Sequence, residues 1–240
     1  VLLVTNGATS YSAITATVGS ASFAGIPGLT AAVSGASLSV NRTTNADGNA
    51  VLDFFNTVGN ANDNSAAAFA LPGTSLSLTI DGDEGSLLQA DATLALDAFG
   101  LVTLNGTFGF KKANGSFYLS DGTSFSADYL AIGGSVSSAF VGVGSLGLTL
   151  NTVDFGVLLV TNGATSYSAI TATVGSATFA GIPGLTATVS GASLSINRTT
   201  NADGNAVLDF FNTVDNTLDN SAAAFALPGT SLSLTIDGDE

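Results

Sequence analysis

The chain has 240 residues, of which 45% are hydrophobic and 9% are charged, and it contains no Cys, Met, Trp or His. This composition predicts a folded chain, and the net charge of −14 excludes nucleic acid as a partner because acidic surfaces repel phosphates. Without His or Cys, Ser-His-Asp and Cys-His nucleophilic sites and zinc or copper sites are excluded, which leaves only oxygen chemistry.

The chain contains a long internal repeat. Residues 1–84, the C-terminal part of one period, recur as residues 157–240, and residues 85–156 complete the period. Both ends fall inside the period, so no natural domain boundary is visible and we expect a longer parent. Three of the six differences between the copies favour β-branched residues and predict strands, whereas three cluster and predict an exposed loop. The differences are Ser22/Thr178, Ala32/Thr188, Val40/Ile196, Gly59/Asp215, Ala61/Thr217 and Asn62/Leu218.

Alternating apolar and small polar residues predict β-strands, most clearly at 74–80 (TSLSLTI) and 90–96 (ADATLAL). Asn-Gly and Asp-Gly pairs predict tight turns because both residues tolerate positive φ. By this rule residues 107–112 and 116–120 are two short antiparallel strands. The turns are predicted at 6–7, 47–48, 81–82, 105–106, 114–115 and 121–122. The aromatic residues predicted to fill the core are Phe54, Phe55, Phe108, Phe110, Phe117 and Tyr118.

The expected fold class is all-β with antiparallel, hairpin-rich strands, and three architectures fit it. A parallel β-solenoid needs a short sub-repeat, and the period contains none. A string of β-sandwich repeats fits the length, but no polar, Pro-rich linker marks each period. The favoured architecture is an elongated barrel or tube that continues through the repeats and leaves no sheet edge exposed.

One stretch in each copy offers alternating side-chain oxygens around a glycine turn, which is how Ca²⁺ is wrapped. The stretch lacks the closing Glu of an EF-hand loop. The alternative interpretation is an Asx turn, in which these oxygens bond their own backbone. Calcium is therefore the one candidate cofactor. The candidate metal ligands are Asn45, Asp47, Asn49, Asp53, Asn201, Asp203, Asn205 and Asp209.

The densest acidic cluster is Asp81, Asp83 and Glu84. Paired carboxylates can hydrolyse glycosidic bonds, but a general acid needs a buried pocket, and this cluster lies in a predicted turn. The sequence therefore predicts that the protein is not an enzyme and indicates no catalytic residue. A carboxylate-based glycosidase is the remote alternative.

Residues 139–144 (AFVGVG) and 25–30 (GIPGLT, repeated at 181–186), with the acidity and the long repeats, resemble giant adhesin-like repeat proteins secreted by bacteria. The resemblance covers the whole chain and is mostly compositional. It implies an extended fibre, stalk or adhesin body, and it transfers no functional residue.

These observations predict a structural repeat segment of an extracellular or cell-surface bacterial fibre, filament or stalk. Its partners are neighbouring repeats of the same chain or identical chains, and it has no transmembrane helix, because no apolar run approaches about 18 residues. The absence of Cys and Met suits an oxidising exterior. The alternative is a calcium-dependent adhesin repeat that binds a surface or a glycan.

Overall fold

The computed structural model describes residues 1–45, 50–54, 68–83, 85–201, 206–210 and 224–238. All regular structure in these residues is β, which confirms the all-β, antiparallel prediction. The Ser-, Thr- and Val-rich segments fit a pleated surface, and most of the long strands exceed 14 residues. The described strands are β1 (Leu2–Asn6), β2 (Thr9–Ile26), β3 (Leu29–Thr43), β4 (Phe69–Ala70), β5 (Ser77–Leu78), β6 (Leu87–Ala98), β7 (Val102–Leu119), β8 (Ser124–Val143), β9 (Leu146–Asn162), β10 (Thr165–Ile182), β11 (Leu185–Thr199), β12 (Leu208–Asp209), β13 (Phe225–Ala226) and β14 (Ser233–Leu234).

Nine of these strands form one large sheet in the order β1-β2-β3-β6-β7-β8-β9-β10-β11, and β12 pairs with the end of β7. Neighbouring strands in this sheet are antiparallel. The sheet contains β1, β2 and β3 from the first copy, β6, β7 and β8 from residues 85–156, and β10 and β11 from the second copy, and β9 has residues of both of the last two. The two copies therefore belong to one uninterrupted sheet.

The sheet is not closed into a barrel, so the expected closure into a tube does not occur. Nine successive antiparallel strands leave β1 and β11 running in the same direction, so the two edges cannot pair antiparallel. The edges are also unequal, because β1 has 5 residues and β11 has 15. The result is a ribbon with two open edges.

Two of the predicted Asx-Gly turns close hairpins. Gly7 joins β1 to β2 and Gly122 joins β7 to β8, with φ of 61° and 80°. The pair at 47–48 lies outside the described residues. The strand predicted at 90–96 is confirmed within β6, whereas only Ser77–Leu78 of the segment 74–80 is a strand.

The turns predicted inside β7 are wrong, because residues 102–119 form one continuous strand of 18 residues. Here the glycines allow close approach by the neighbouring strand. A Cβ at Gly106 would lie 2.8 Å from the carbonyl oxygen of Ser135, and one at Gly115 would lie 3.1 Å from the Tyr129 ring. An Asx-Gly pair alone does not distinguish this use from a turn.

The three β-branched exchanges between the copies lie in strands, as predicted: positions 22 and 178 in β2 and β10, and positions 32, 40, 188 and 196 in β3 and β11. The clustered exchanges at 59–62 and 215–218 lie outside the described residues.

Two irregular segments pack on the sheet, and we call them cover segments. The first consists of residues 50–54 and 68–83, and the second consists of residues 206–210 and 224–238. Their apolar side chains join the sheet in a common core. Among the predicted core aromatics, Phe54 and Phe117 are buried, Phe108 and Tyr118 are half-buried, and Phe110 is 38% exposed. Phe55 lies outside the described residues.

Candidate functional site

The second cover segment is attached to β7, which lies about 90 residues earlier in the chain. Leu208 and Asp209 form β12 opposite Leu119 and Tyr118 of β7. The pairing continues beyond the strand, because the amide of Ser120 donates to the carbonyl oxygen of residue 207 at 3.0 Å. Backbone hydrogen bonds thus connect the second copy to residues 85–156.

A row of three glycines receives the centre of this segment. Gly133 lies opposite Gly109 of β7 and opposite Gly156 of β9, so the three residues cross the sheet side by side. A Cβ at Gly109 would lie 2.5 Å from the Pro228 carbonyl, and one at Gly156 would collide with the Leu227 side chain. The row is therefore a groove, shaped by the absence of side chains, in which Leu227 and Pro228 are buried.

Aromatic packing holds the same segment beside the glycine row. The Phe225 ring meets Tyr129 edge-on at 5.2 Å between centroids and lies 6.1 Å from Phe117. Phe210 completes the cluster at 6.4 Å from Phe225. Each such contact contributes on the order of 1 kcal/mol beyond area burial.

The first cover segment has the same local turn in different surroundings. In both copies a threonine hydroxyl donates to the leucine carbonyl three residues earlier, at 3.0 Å from Thr74 and at 3.2 Å from Thr230. However, Pro72 is exposed whereas Pro228 is buried, and Phe69 is 43% exposed. The turn therefore keeps the same local hydrogen bond although its surroundings differ between the copies.

Three carboxylates converge beside the first cover segment. Oxygens of Asp53, Asp81 and Asp83 lie within 4.8 Å of one another. The amide of Phe54 donates to the Ile80 carbonyl at 3.1 Å, which brings residue 53 beside residue 81. Asp53 is half-buried and Asp83 is exposed. Such an open group of oxygens suits a hard cation better than an acid catalyst, which needs an enclosed pocket.

The predicted calcium loop is only partly described. Asp47, Asn49, Asp203 and Asn205 lie outside the described residues. The amides of Asn45 and Asn201 each donate to a threonine hydroxyl two residues earlier, at 3.0 Å in both copies. Sequence analysis assigned Asp53 to this loop because of its nearness along the chain. The structure brings it together with Asp81 and Asp83. Its assignment to the loop stays a prediction, because Asp47 and Asn49 lie outside the described residues.

The second-copy equivalent of Asp53, Asp209, is more enclosed. Asp209 is 4% exposed because β12 holds it against β7, and its Oδ1 accepts from the amide of Gly238 at 3.4 Å. In the first copy the equivalent bond joins Gly82 to Asp53, also at 3.4 Å. Identical residues thus differ in exposure according to whether β7 is beside them.

An apolar groove of about 640 Å³ lies on the sheet across β3, β6, β7 and β8. Phe108 and Phe110 contribute its rings, and Asp91 accepts a hydrogen bond from the Ser37 hydroxyl at 2.8 Å within it. This surface explains the exposure of Phe110, which sequence analysis placed in the core. The aliphatic residues that line it are Ala36, Ala90, Ala92, Leu130 and Ile132.

Two titratable groups near the β7–β8 turn have shifted pKa values. Hydrogen bonds from the hydroxyl and amide of Thr123 to Oδ1 lower the pKa of Asp121. Burial raises the pKa of Tyr167, and the negative charge of Asp121 adds to this shift. The hydrogen bonds from Thr123 therefore stabilise the charged form of Asp121 in this turn.

Among the residues that the structure describes, no helix has the length and apolarity needed to cross a membrane. No protein family matches the chain, no curated protein is significantly similar to it, and no solved structure is either.

Proposed function

We propose that the chain is a structural repeat segment of an extracellular bacterial fibre, filament or stalk. The observation that carries the proposal is that one sheet contains strands of both copies and of residues 85–156 between them. A repeat joined in this way transmits force and orientation through sheet hydrogen bonds. The extracellular location is supported by the resemblance to secreted repeat proteins and by the lack of oxidisable Cys and Met.

The open edge of β11 supports repeat-to-repeat assembly. This strand is 15 residues long, and its only charged residue is Arg198. Val189 and Leu194 are 56% and 51% exposed. Edge strands that do not pair with other chains are usually short, charged or bulged, and β11 is long and has a single charged residue.

The geometry gives the expected dimensions of the fibre. One period adds the six strands β3, β6, β7, β8, β9 and β10 to the sheet. At about 4.8 Å between strands, each repeat lengthens the ribbon by roughly 29 Å, and strands of 18 residues make it roughly 60 Å wide.

Electron microscopy and small-angle X-ray scattering of chains with two, three and four periods test this proposal. We expect particles of constant width that lengthen by about 29 Å per period. Compact particles whose three dimensions all increase together would contradict it.

The second candidate function is a calcium-dependent adhesin repeat, favoured by the convergence of Asp53, Asp81 and Asp83. Calorimetric titration with CaCl₂ and thermal unfolding with and without a chelator separate the two functions. If calcium binds there, Asp81→Asn weakens the binding, whereas Asp97→Asn, on the exposed end of β6, leaves it unchanged. The absence of both heat and a shift in Tm on adding calcium would remove this candidate.

A further inference from the structure

Three glycines occur identically in both copies but have different surroundings. A Cβ at Gly19, Gly25 or Gly73 would meet no atom within 4 Å. Their second-copy equivalents are Gly175, Gly181 and Gly229, and each is in close contact with other residues. Because the residue types are the same, the difference must come from what is packed against them.

The atoms that contact these three glycines of the second copy all belong to residues 85–156. A Cβ at Gly175 would lie 3.1 Å from the Cβ of Thr152, and one at Gly181 would lie 2.6 Å from the amide nitrogen of Leu146. A Cβ at Gly229 would lie 2.8 Å from the Cα of Gly109. The close approaches therefore identify one segment as the common partner.

Strand register leads to the same segment. Residues 147–156 of β9 pair with residues 171–180 of β10, and the corresponding part of β2 has no strand on its outer side. Phe23 in that part of β2 is 51% exposed, whereas its equivalent, Phe179, is half-buried. The outer edge of β2 thus retains the hydrogen-bonding groups and side chains that β10 uses.

We propose that the outer edge of β2 and the first cover segment form one docking surface for a segment with the sequence of residues 85–156. The segment is joined directly ahead of Val1, as it is joined to Val157. It supplies a β9-like strand to β2 and a glycine row to Pro72 and Gly73, which are exposed next to the buried Leu71. The inference rests on the proposed function and adds how each repeat is locked to the one before it.

The glycine that follows β2 and its equivalent after β10 show the opposite difference between the copies, and they indicate the same contacting segment. Gly28 of the first copy contacts the Phe99 ring, at 2.9 Å from its ideal Cβ, whereas Gly184 of the second copy has open space. Residues 85–156 therefore contact the preceding copy through β6 and the following copy through β9 and the glycine row. The first copy shows the contacts with a following segment and the second copy shows the contacts with a preceding one, so a copy inside a longer chain would make both sets.

Cysteine labelling tests the proposal, because the chain has no natural Cys. Pro72→Cys and Pro228→Cys are compared in the 240-residue chain and in a longer chain that carries residues 85–156 ahead of Val1. We expect maleimide to modify position 72 rapidly in the shorter chain and at least about tenfold more slowly in the longer one, close to position 228. Ser190→Cys, on the exposed β11 edge, is the matched control whose rate stays constant.

An unchanged rate at position 72 in the longer chain would overturn the proposal. Protection in the 240-residue chain that increases with protein concentration would also overturn it, in favour of docking between separate chains. A second measurement avoids the cysteine: the loss of Tm caused by Gly73→Ala should increase in the longer chain to match that of Gly229→Ala. Protection at position 72 without fibre lengthening would remove the fibre function and leave the docking surface intact.

Discussion

The pair Gly73→Ala and Gly229→Ala measures how much the glycine groove stabilises the protein. Both residues have left-handed backbones, with φ of 73° and 68°, so each substitution costs about 1–2 kcal/mol in backbone strain. Only the alanine at position 229 meets Gly109, 2.8 Å from its Cα, which forces the turn out of the groove. Displacing the buried Leu227 side chain costs about another 1.5–3 kcal/mol.

We therefore expect Gly229→Ala to destabilise the 240-residue chain by roughly 2 kcal/mol more than Gly73→Ala, a further decrease in Tm of about 4–8 °C. Thermal unfolding followed by circular dichroism measures the difference. Hydrogen exchange in residues 224–238 shows whether the segment detaches locally before global unfolding. Equal effects of the two substitutions would refute the conclusion that the groove, and not only the turn, requires glycine.

Gly134→Ala should destabilise the protein by about 1–3 kcal/mol, because its Cβ would collide with the Phe155 ring; Gly19→Ala, in open space, should be neutral or slightly stabilising by urea unfolding. A similar loss for both would contradict this packing argument. Thr123→Val should raise the pKa of Asp121 towards 3.8, as followed by carboxyl NMR titration, since it removes a 2.6 Å hydrogen bond. The lowered folded-state pKa stabilises the protein above about pH 3.8, and this stability is lost as the pH falls through the folded pKa, so the variant should lose less on acidification. An unchanged pKa of Asp121 in this variant would contradict the role given to the Thr123 hydrogen bonds.

Local pattern was sufficient for the features that depend on near neighbours in the chain. The alternation at 90–96 correctly predicted β6, and the Asx-Gly pairs at Gly7 and Gly122 correctly predicted hairpin turns. The same dipeptides at Gly106 and Gly115 misled, because a glycine beside Asn also occurs where a neighbouring strand comes close. That neighbour is at least 14 residues away in the chain and leaves no local signal.

The acidic group at the candidate site also depends on a contact between residues that are far apart in the chain. Asp53 was assigned to the loop that begins at Asn45, since both lie within nine residues of each other in the sequence. The hydrogen bond from Phe54 to Ile80 places it with Asp81 and Asp83. Contacts across such a distance depend on how the cover segment folds over the sheet, which the spacing of residues does not encode.

The sequence by itself determined that this protein is all-β and that its two copies are nearly identical and share their long strands, β2 with β10 and β3 with β11, because pleating and side-chain alternation are local properties. Only the tertiary structure decided that the sheet stays open, because closure depends on the direction of the first and last strands. It also decided that Gly175, Gly181 and Gly229 are in contact with residues 85–156, whereas the identical glycines of the first copy are not. That difference arises because residues 85–156 lie on the C-terminal side of one copy and on the N-terminal side of the other.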